Sequence, residues 1–317
     1  MMPVELRRFV RGAVPFTLIG LAIYALLYAA SEQLVAEHAL RNRFHAIKIA
    51  PRADYDHVLL GASHAAVFDY RDMNRRLETM TGTSILNLSV EGAGISVNRL
   101  LLDYFLATHR TSSVVYVIDS FAFYSQDWNE DRLQDTSLYR RAPWDPTLAR
   151  LLLTTPATRW VAIDYITGFS KINNRDRFAT DLFENEGRRF ERTYRPVAQI
   201  DQQRIRFLYP AGASDALLDA LPYFGQLEQL IRDVRSRGIR VLIVRPPIPD
   251  RIRNMLPNED RFDARLTALA ETYGAVLHDF SSVNNEDVLF FDSDHLNEDG
   301  VRRFFEGFLA PLLTEDG

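Results

Sequence analysis

Short apolar runs alternate with stretches of helical periodicity from about residue 54 to the end of the chain. The apolar runs predict five strands, at residues 56–60, 84–90, 113–118, 239–244 and 275–280. Between and after them, apolar residues at helical spacing predict helices at residues 70–80, 97–108, 217–237, 261–273 and 301–313. Strands that alternate with helices are typical of a parallel sheet covered on both faces. The predicted fold class is therefore α/β, with a five-stranded parallel sheet.

The alternation is interrupted after the third strand. Residues 121–215 show no clear strand and helix rhythm, and they contain all three tryptophans of the chain, Trp128, Trp144 and Trp160. We interpret this segment as an insertion over the carboxyl end of the sheet. Trp128 and Trp144 are candidates for stacking on a sugar ring of a substrate, although tryptophan more often packs in a core.

An unbroken uncharged run, residues 12–30, lies near the N-terminus. Nineteen helical residues span about 28 Å, close to the thickness of the hydrocarbon core of a bilayer. We therefore predict a single-span membrane anchor at residues 1–30, a linker at 31–53, and an extracytoplasmic domain at 54–317. A cleaved signal peptide is the alternative, since Ala29-Ala30-Ser31 would suit a peptidase.

The charges that flank this run indicate its orientation. Three arginines precede it within residues 7–11, whereas Glu32 and Glu37 follow it. Positive residues are retained on the cytoplasmic side of a membrane. We expect a protein of the bacterial inner (cytoplasmic) membrane with its N-terminus in the cytoplasm and its domain on the periplasmic or extracellular side.

Composition excludes several classes of function. The formal net charge is -5, which argues against a nucleic-acid partner, because such proteins carry basic surfaces. The chain has no cysteine, so a thiol nucleophile, a thiolate metal site and disulfides are excluded. No metal or organic cofactor is indicated.

The first predicted strand ends in Gly61-Ala62-Ser63-His64, where a helix is expected to begin. A serine at this junction projects from the carboxyl edge of the sheet, where open α/β sheets place their ligands. Its backbone N–H faces the positive end of the helix and suits an oxyanion. The alternative is a simple helix N-cap. His64 could contact substrate, or it could be a solvent-facing residue at the start of a helix.

A second candidate block, Asp292-Ser293-Asp294-His295-Leu296-Asn297, precedes the last predicted helix. A serine nucleophile needs a base, and the base needs an orienting acid. The three-residue spacing on a turn can bring Asp292 to the imidazole of His295, and Asp294 remains the alternative acid. The block is also reminiscent of a calcium loop, but Arg303 occupies the position that would need a bidentate glutamate.

A serine after the first strand, glycines after the second, and Asp-x-x-His before the last helix resemble the SGNH (GDSL-like) hydrolases. The resemblance covers about residue 54 to the end, without the insertion. It implies a flavodoxin-like three-layer α/β/α fold in which Ser63 is the nucleophile, His295 the base and Asp292 the acid that orients it. It also implies an oxyanion hole built from the N–H of Ser63 and of Gly92 or Gly94.

The sequence departs from this family at two places. Ala62 stands where the family usually has an aspartate, and the third strand runs into Asp119-Ser120-Phe121 without the usual asparagine of the oxyanion hole. Ser120 is the candidate substitute donor. Loss of one such donor costs about 10²–10³ in rate in other hydrolases.

An N-terminal span before such a domain is similar to proteins that transfer D-alanyl groups in teichoic acid synthesis or acetylate exported polysaccharides. We therefore expect an esterase or O-acyltransferase whose substrate is an acylated cell-envelope glycan or lipid. Two alternatives remain. One is a non-catalytic glycan-binding protein or partner of a membrane-bound O-acyltransferase, and the other is an α/β-hydrolase-type lipase or esterase.

Overall fold

A computed structural model of the chain describes residues 4–179 and 184–315. Five strands of this part form one sheet: β1 (Asp54–Leu60), β2 (Ile85–Asn87), β3 (Arg110–Val117), β4 (Arg240–Arg245) and β5 (Val276–Asp279). All neighbouring strands are parallel, and the strand order is β2-β1-β3-β4-β5. The prediction of an α/β protein with a five-stranded parallel sheet is confirmed.

The α-helices of the described residues are, in chain order, α1 (Val4–His38), α2 (Arg43–Ile49), α3 (Ser63–Ala66), α4 (Met73–Thr81), α5 (Ile95–Thr108), α6 (Arg132–Gln134), α7 (Pro146–Thr154), α8 (Arg159–Thr167), α9 (Phe169–Ile172), α10 (Glu184–Phe190), α11 (Ala198–Leu208), α12 (Asp215–Ala220), α13 (Tyr223–Ser236), α14 (Asp250–Arg253), α15 (Glu259–Tyr273), α16 (Glu298–Phe304) and α17 (Ala310–Glu315).

Two predicted helices are interrupted in the structure. The helix predicted at residues 217–237 is divided into α12 and α13, because Pro222 forces an extended backbone on Leu221, at φ -83° and ψ 144°. The last predicted helix is divided by a π-helical turn, Phe305–Leu309, between α16 and α17. Both breaks lie outside the sheet and leave its topology unchanged.

The helices of the sheet pack in two groups. α4 packs against α17, while α13 packs against both α5 and α15. The chain moves from β1 to β2 in one direction along the sheet, and from β2 through β3 and β4 to β5 in the opposite direction. Because crossovers between parallel strands are right-handed, the helices of these two directions lie on opposite faces of the sheet. The central strands are buried on both sides, with Val114, Val115 and Ile243 fully inaccessible to solvent. This explains why their sequences are continuous apolar runs rather than alternating ones.

The chain divides into two compact units. The first comprises the described residues within Met1–Ile49 and Asp135–Asp181, and the second those within Ala50–Gln134 and Leu182–Gly317. The sheet belongs to the second unit. Most of residues 31–53, predicted as a linker, lie in the end of α1 and in α2 of the first unit. The middle of the predicted insertion, α7 to α9, also belongs to the first unit.

Helix α1 is the dominant feature of the first unit. Its stretch Arg7–His38 is long and apolar enough to cross a membrane, and its most apolar window is not buried by the rest of the protein. This finding agrees with a single N-terminal span. Length and composition alone also fit a signal sequence.

A tight turn after β1 positions the start of α3. Gly61 has φ +152°, and a Cβ at this position would lie 2.7 Å from the carbonyl oxygen of Val117 and 2.9 Å from the Cβ of Ala65. Its N–H donates a hydrogen bond of 2.9 Å to Oδ1 of the buried Asn98. Glycine at this point therefore allows α3 to pack directly against the end of β3.

We expect Gly61→Ala to destabilise the protein by about 1–3 kcal/mol, because the added methyl group overlaps backbone atoms that cannot move freely. Thermal unfolding of the purified full chain would show this as a lower Tm. Gly225→Ala is the matched control, since Gly225 lies within α13 and its Cβ would meet nothing within 4 Å. Equal Tm values for the two variants would contradict this explanation of the turn.

Candidate functional site

Ser63, Asp292 and His295 line one cavity of about 460 Å³ in the second unit. Ser63 is the first residue of α3, directly after the Gly61 turn. Asp292 and His295 lie in the loop before α16. The structure thus brings the three predicted residues to one place, although more than two hundred positions separate Ser63 from the other two.

The imidazole of His295 is held by Asp292. Nδ1 of His295 lies 2.9 Å and 3.0 Å from the two carboxylate oxygens of Asp292, and the backbone N–H of His295 donates to the same carboxylate at 2.9 Å. Burial acts to raise the pKa of Asp292, but the charge of a protonated His295 and the hydrogen bonds from it lower that pKa below its usual value. This arrangement suits an acid that orients a base.

Nε2 of His295 is buried and makes no hydrogen bond within the described part of the chain. With Nδ1 engaged by Asp292, a neutral His295 carries its lone pair on Nε2 and can accept a proton there. Ser63 forms no hydrogen bond with it in this conformation. Catalytic hydrogen bonds often tighten only when substrate is bound.

The two glycines predicted for the oxyanion hole differ in their surroundings. Gly92, with φ +68°, lines the cavity beside Ser63. The N–H of Gly94 donates instead to the carbonyl oxygen of Trp128 at 2.6 Å. Because that N–H is already engaged, Gly92 is the better placed donor of the two.

Ser120 does not face this cavity. Its hydroxyl lies 2.7 Å from the hydroxyl of Tyr209 and also contacts the carboxylate of Glu259. Ser120 lines a separate small cavity together with Arg245. The predicted substitution of Ser120 for the missing asparagine therefore has no geometric support.

His64 is buried rather than exposed to substrate. Only 5% of it is accessible, and it is absent from the wall of the Ser63 cavity. Its Nδ1 lies 2.6 Å from Oδ1 of Asp119 at the end of β3, and its Nε2 lies 3.6 Å from Oδ2 of Asp294. Burial acts to lower the pKa of His64, but the two carboxylates outweigh it and raise that pKa to about 10. The two carboxylates therefore favour the protonated form of His64 in the interior.

Asp294 is the centre of this group of charges. Nε of Arg204, in α11, donates to both of its carboxylate oxygens at 3.0 Å and 2.9 Å. Burial acts to raise the pKa of Asp294, but nearby positive charges, from protonated His295, Arg204 and His64, lower it far below its usual value. We call Asp119, His64, Asp294 and Arg204 the buried charge network.

Sequence reasoning missed this network. The only sequence signal for it was that His64 directly follows Ser63 and Asp294 directly precedes His295. The partner Arg204 comes from the predicted insertion, whose fold the sequence pattern left open.

Ligand atoms of His64, Asp294 and His295 lie within 4.8 Å of one another, as in a metal site. The chemistry of the donors is less suitable. Nδ1 of each histidine is already bound by an aspartate, and the guanidinium of Arg204 already neutralises Asp294. These contacts suit a network of fixed charges better than a cation.

The rest of the cavity wall is aromatic and charged. Trp128 forms part of it, donates its indole N–H to the carbonyl oxygen of Leu208 at 2.9 Å, and packs edge-on against Phe121 and Phe207. The arginines that line it are Arg132, Arg189 and Arg204. Trp144 belongs to the first unit, is 42% exposed, and is not part of this wall.

The buried charge network predicts a pH dependence of stability. The pKa of His64 rises from 6.5 in the unfolded chain to about 10 in the folded one. Its contribution is therefore fully present below about pH 6.5 and is lost as the pH rises toward about 10. We expect the Tm difference between the wild type and His64→Gln to shrink over this range. His38→Gln, in the first unit, should keep the wild-type profile, and a constant Tm difference for His64→Gln would contradict a charged His64.

Comparisons of the chain with models of known protein families and with curated proteins find no match. The site itself consists of a serine at the start of a helix, an aspartate-bound histidine in the same cavity, and the buried charge network beside both. These residues and their geometry are the basis for a functional interpretation.

Proposed function

We propose that this protein is a membrane-anchored, extracytoplasmic SGNH-type serine esterase or O-acyltransferase. The observation that carries the proposal is the shared cavity of Ser63 and His295, together with the contact between His295 and Asp292. A nucleophile, a base and an orienting acid are the parts that acyl transfer from an ester requires. The five-stranded parallel sheet, with Ser63 at the carboxyl end of β1, supports the SGNH-type fold.

The proposed reaction begins when Oγ of Ser63 attacks the carbonyl carbon of a bound ester. Nε2 of His295 takes the hydroxyl proton, for which it has to come within hydrogen-bonding distance of Oγ in the bound state. The N–H groups of Ser63 and Gly92 stabilise the negative oxygen of the tetrahedral intermediate. The bond to the leaving alcohol then breaks, and His295 returns the proton to that alcohol.

The acyl group is then attached to Ser63 as an ester. Water or a sugar hydroxyl attacks the acyl carbon of this ester and gives its proton to His295. The bond between that carbon and Oγ of Ser63 then breaks, and His295 returns the proton to Oγ. Water yields the free acid, whereas a sugar hydroxyl yields a transferred acyl ester. Asp292 keeps Nδ1 of His295 protonated throughout and stabilises the imidazolium.

The aromatic and arginine side chains of the cavity support a polar, glycan-like substrate. Trp128 and Phe207 offer apolar faces of the kind that sugar rings stack on, and Arg189 lies over the ring of Phe291 at 5.5 Å. We propose acylated cell-envelope polysaccharide or lipid as the substrate class. The proposed location is the bacterial inner membrane, with α1 as the single span and its N-terminus in the cytoplasm.

The free Nε2 of His295 favours one alternative. Without a hydrogen bond to Ser63 and without the asparagine of the oxyanion hole, the same scaffold would suit a non-catalytic partner of a membrane-bound O-acyltransferase. Such a protein would hold the acylated glycan and leave the chemistry to its partner.

A fluorophosphonate probe separates the two functions, since it reacts only with an activated serine. We expect the full chain in detergent to be labelled, Ser63→Ala to lose labelling completely, and His295→Ala to lose most of it because the base is absent. Ser96→Ala is the control and should be labelled like the wild type, since Ser96 is bound to Gln226 away from the cavity. A folded wild type that resists labelling would argue for the non-catalytic alternative.

The two aspartates of the block should differ in their effects. Asp292→Asn would leave His295 in the wrong tautomer and lower the labelling rate by up to about 10⁴-fold, with little change in Tm. Asp294→Asn would leave Arg204 and His64 partly unpaired in the interior and lower the Tm markedly. Labelling rates and thermal unfolding of both variants test this. The reverse pattern would assign the orienting acid to Asp294.

A further inference from the structure

We propose that the exposed face of α8, continued by Phe169, lies in the interfacial layer of the bilayer and contacts lipid. This inference depends on the proposed membrane span of α1. It assigns a second membrane contact to the first unit, provided by α8 and α9, which belong to the predicted insertion.

Helix α8 has one buried face and one exposed face. Val161, Ala162 and Tyr165 are buried inside the first unit. The residues of the other face include Trp160, which is 85% exposed, and Ile163, which is 50% exposed. A tryptophan and an isoleucine one helical turn apart thus point away from the protein. Exposed apolar groups arranged in this way mark an interaction surface rather than an ordinary solvent face.

Two further large apolar residues extend this surface. Ile166 is 38% exposed, and Phe169, at the start of α9, is 61% exposed. Arg159 and Thr167 are the other exposed residues of α8. The one acidic residue of the helix, Asp164, is half-buried and accepts a hydrogen bond of 3.0 Å from the N–H of Ser170. Tryptophan and phenylalanine beside a basic residue are typical of helices that lie in the plane of a membrane interface.

Contacts with α1 place this surface at a definite level along the span. The hydroxyl of Tyr24 donates to the carbonyl oxygen of Thr167, the last residue of α8, at 2.9 Å. The next residue, Gly168, packs against the ring of Tyr28 so closely that a Cβ at this position would overlap the ring. Its φ of +72° also favours glycine. The end of α8 is therefore level with Tyr24 and Tyr28.

Both tyrosines belong to the apolar run that ends at Ala30. At a rise of 1.5 Å per residue, Tyr28 lies about 3 Å and Tyr24 about 9 Å before that end. Amphipathic helices at a membrane surface bury their apolar face about 5–10 Å into the boundary between headgroups and acyl chains. The level of the C-terminal end of α8 along α1 matches this layer.

A buried ion pair fixes α9 to the end of the span. Nζ of Lys171 contacts the carboxylate of Glu32 and donates to the carbonyl oxygen of Ala142 at 2.8 Å. Lys171 is only 1% exposed. Glu32 lies just past the apolar run, so this pair holds α9 to α1 at the level where the lipid ends. The junction of α8 and α9 is thus fixed to α1 by contacts on both sides of Gly168.

The experiment uses nitroxide labels on the full chain in vesicles of phosphatidylcholine and phosphatidylglycerol. The chain has no cysteine, so Ile163→Cys and Phe169→Cys each provide a single labelling site. Electron paramagnetic resonance then compares the collision of each label with oxygen, which concentrates in lipid, and with an aqueous nickel chelate. Leu21→Cys on α1 is the reference for lipid. Val288→Cys, in the second unit and 59% exposed, is the reference for water.

We expect the labels at 163 and 169 to collide more with oxygen and less with the nickel chelate than the label at 288. Their collision ratios should also place them at a shallower depth in the bilayer than the label at 21. Lipid exposure at 21 with water exposure at 163 and 169 would overturn this inference alone. Water exposure at 21 would overturn the proposed span and this inference with it. Low collision with both reagents at 163 and 169 would show that protein, such as a membrane-bound partner or a second copy, covers the surface, and would also overturn contact with lipid.

Discussion

The pairing of His64 with Asp119 and Asp294 is the interaction on which the geometry of the candidate site depends. It joins the start of α3, the end of β3 and the loop before α16, and Arg204 of α11 closes it. Because His64, Asp119 and Asp294 are removed from water, loss of one of them leaves its partner uncompensated, which typically costs several kcal/mol. The network therefore acts as a fixed connection among segments that are remote in sequence.

The network also explains why Ser63 and His295 share a cavity. Ser63 precedes His64, and His295 follows Asp294, so the ion pair between His64 and Asp294 holds Ser63 and His295 near each other. The ring centroids of His64 and His295 are 4.9 Å apart. The parallel sheet supplies the other requirement, since the carboxyl ends of β1 and β3 lie side by side. Gly61 allows α3 to begin close enough to β3 for His64 to reach Asp119.

Local pattern was sufficient for the sheet but not for the site as a whole. The strands were predictable because buried parallel strands are continuous apolar runs, and the Asp292-x-x-His295 contact was predictable because both residues share one turn. The roles of His64 and Arg204 could not be predicted, because their partners lie 55 to 230 residues away in the sequence. The break at Pro222 had a clear signal in the sequence, whereas the grouping of α7 to α9 with α1 depends on contacts such as that between Lys171 and Glu32.

The two histidines differ in their surroundings, and this difference suits them to different roles. Two carboxylates raise the pKa of His64 to about 10, and its ring does not line the Ser63 cavity, so His64 is poorly suited to act as a base. His295 has one nitrogen bound by Asp292 and the other without a hydrogen bond in the described chain. His295 therefore suits the proposed role of base better than His64 does. The two aspartates also differ in their main contacts, because Asp294 binds Arg204 and lies near His64 while Asp292 binds Nδ1 of His295. If Ser63 is the proposed nucleophile, Nε2 of His295 is the acceptor that this geometry favours, and the buried charge network holds the loop that carries it.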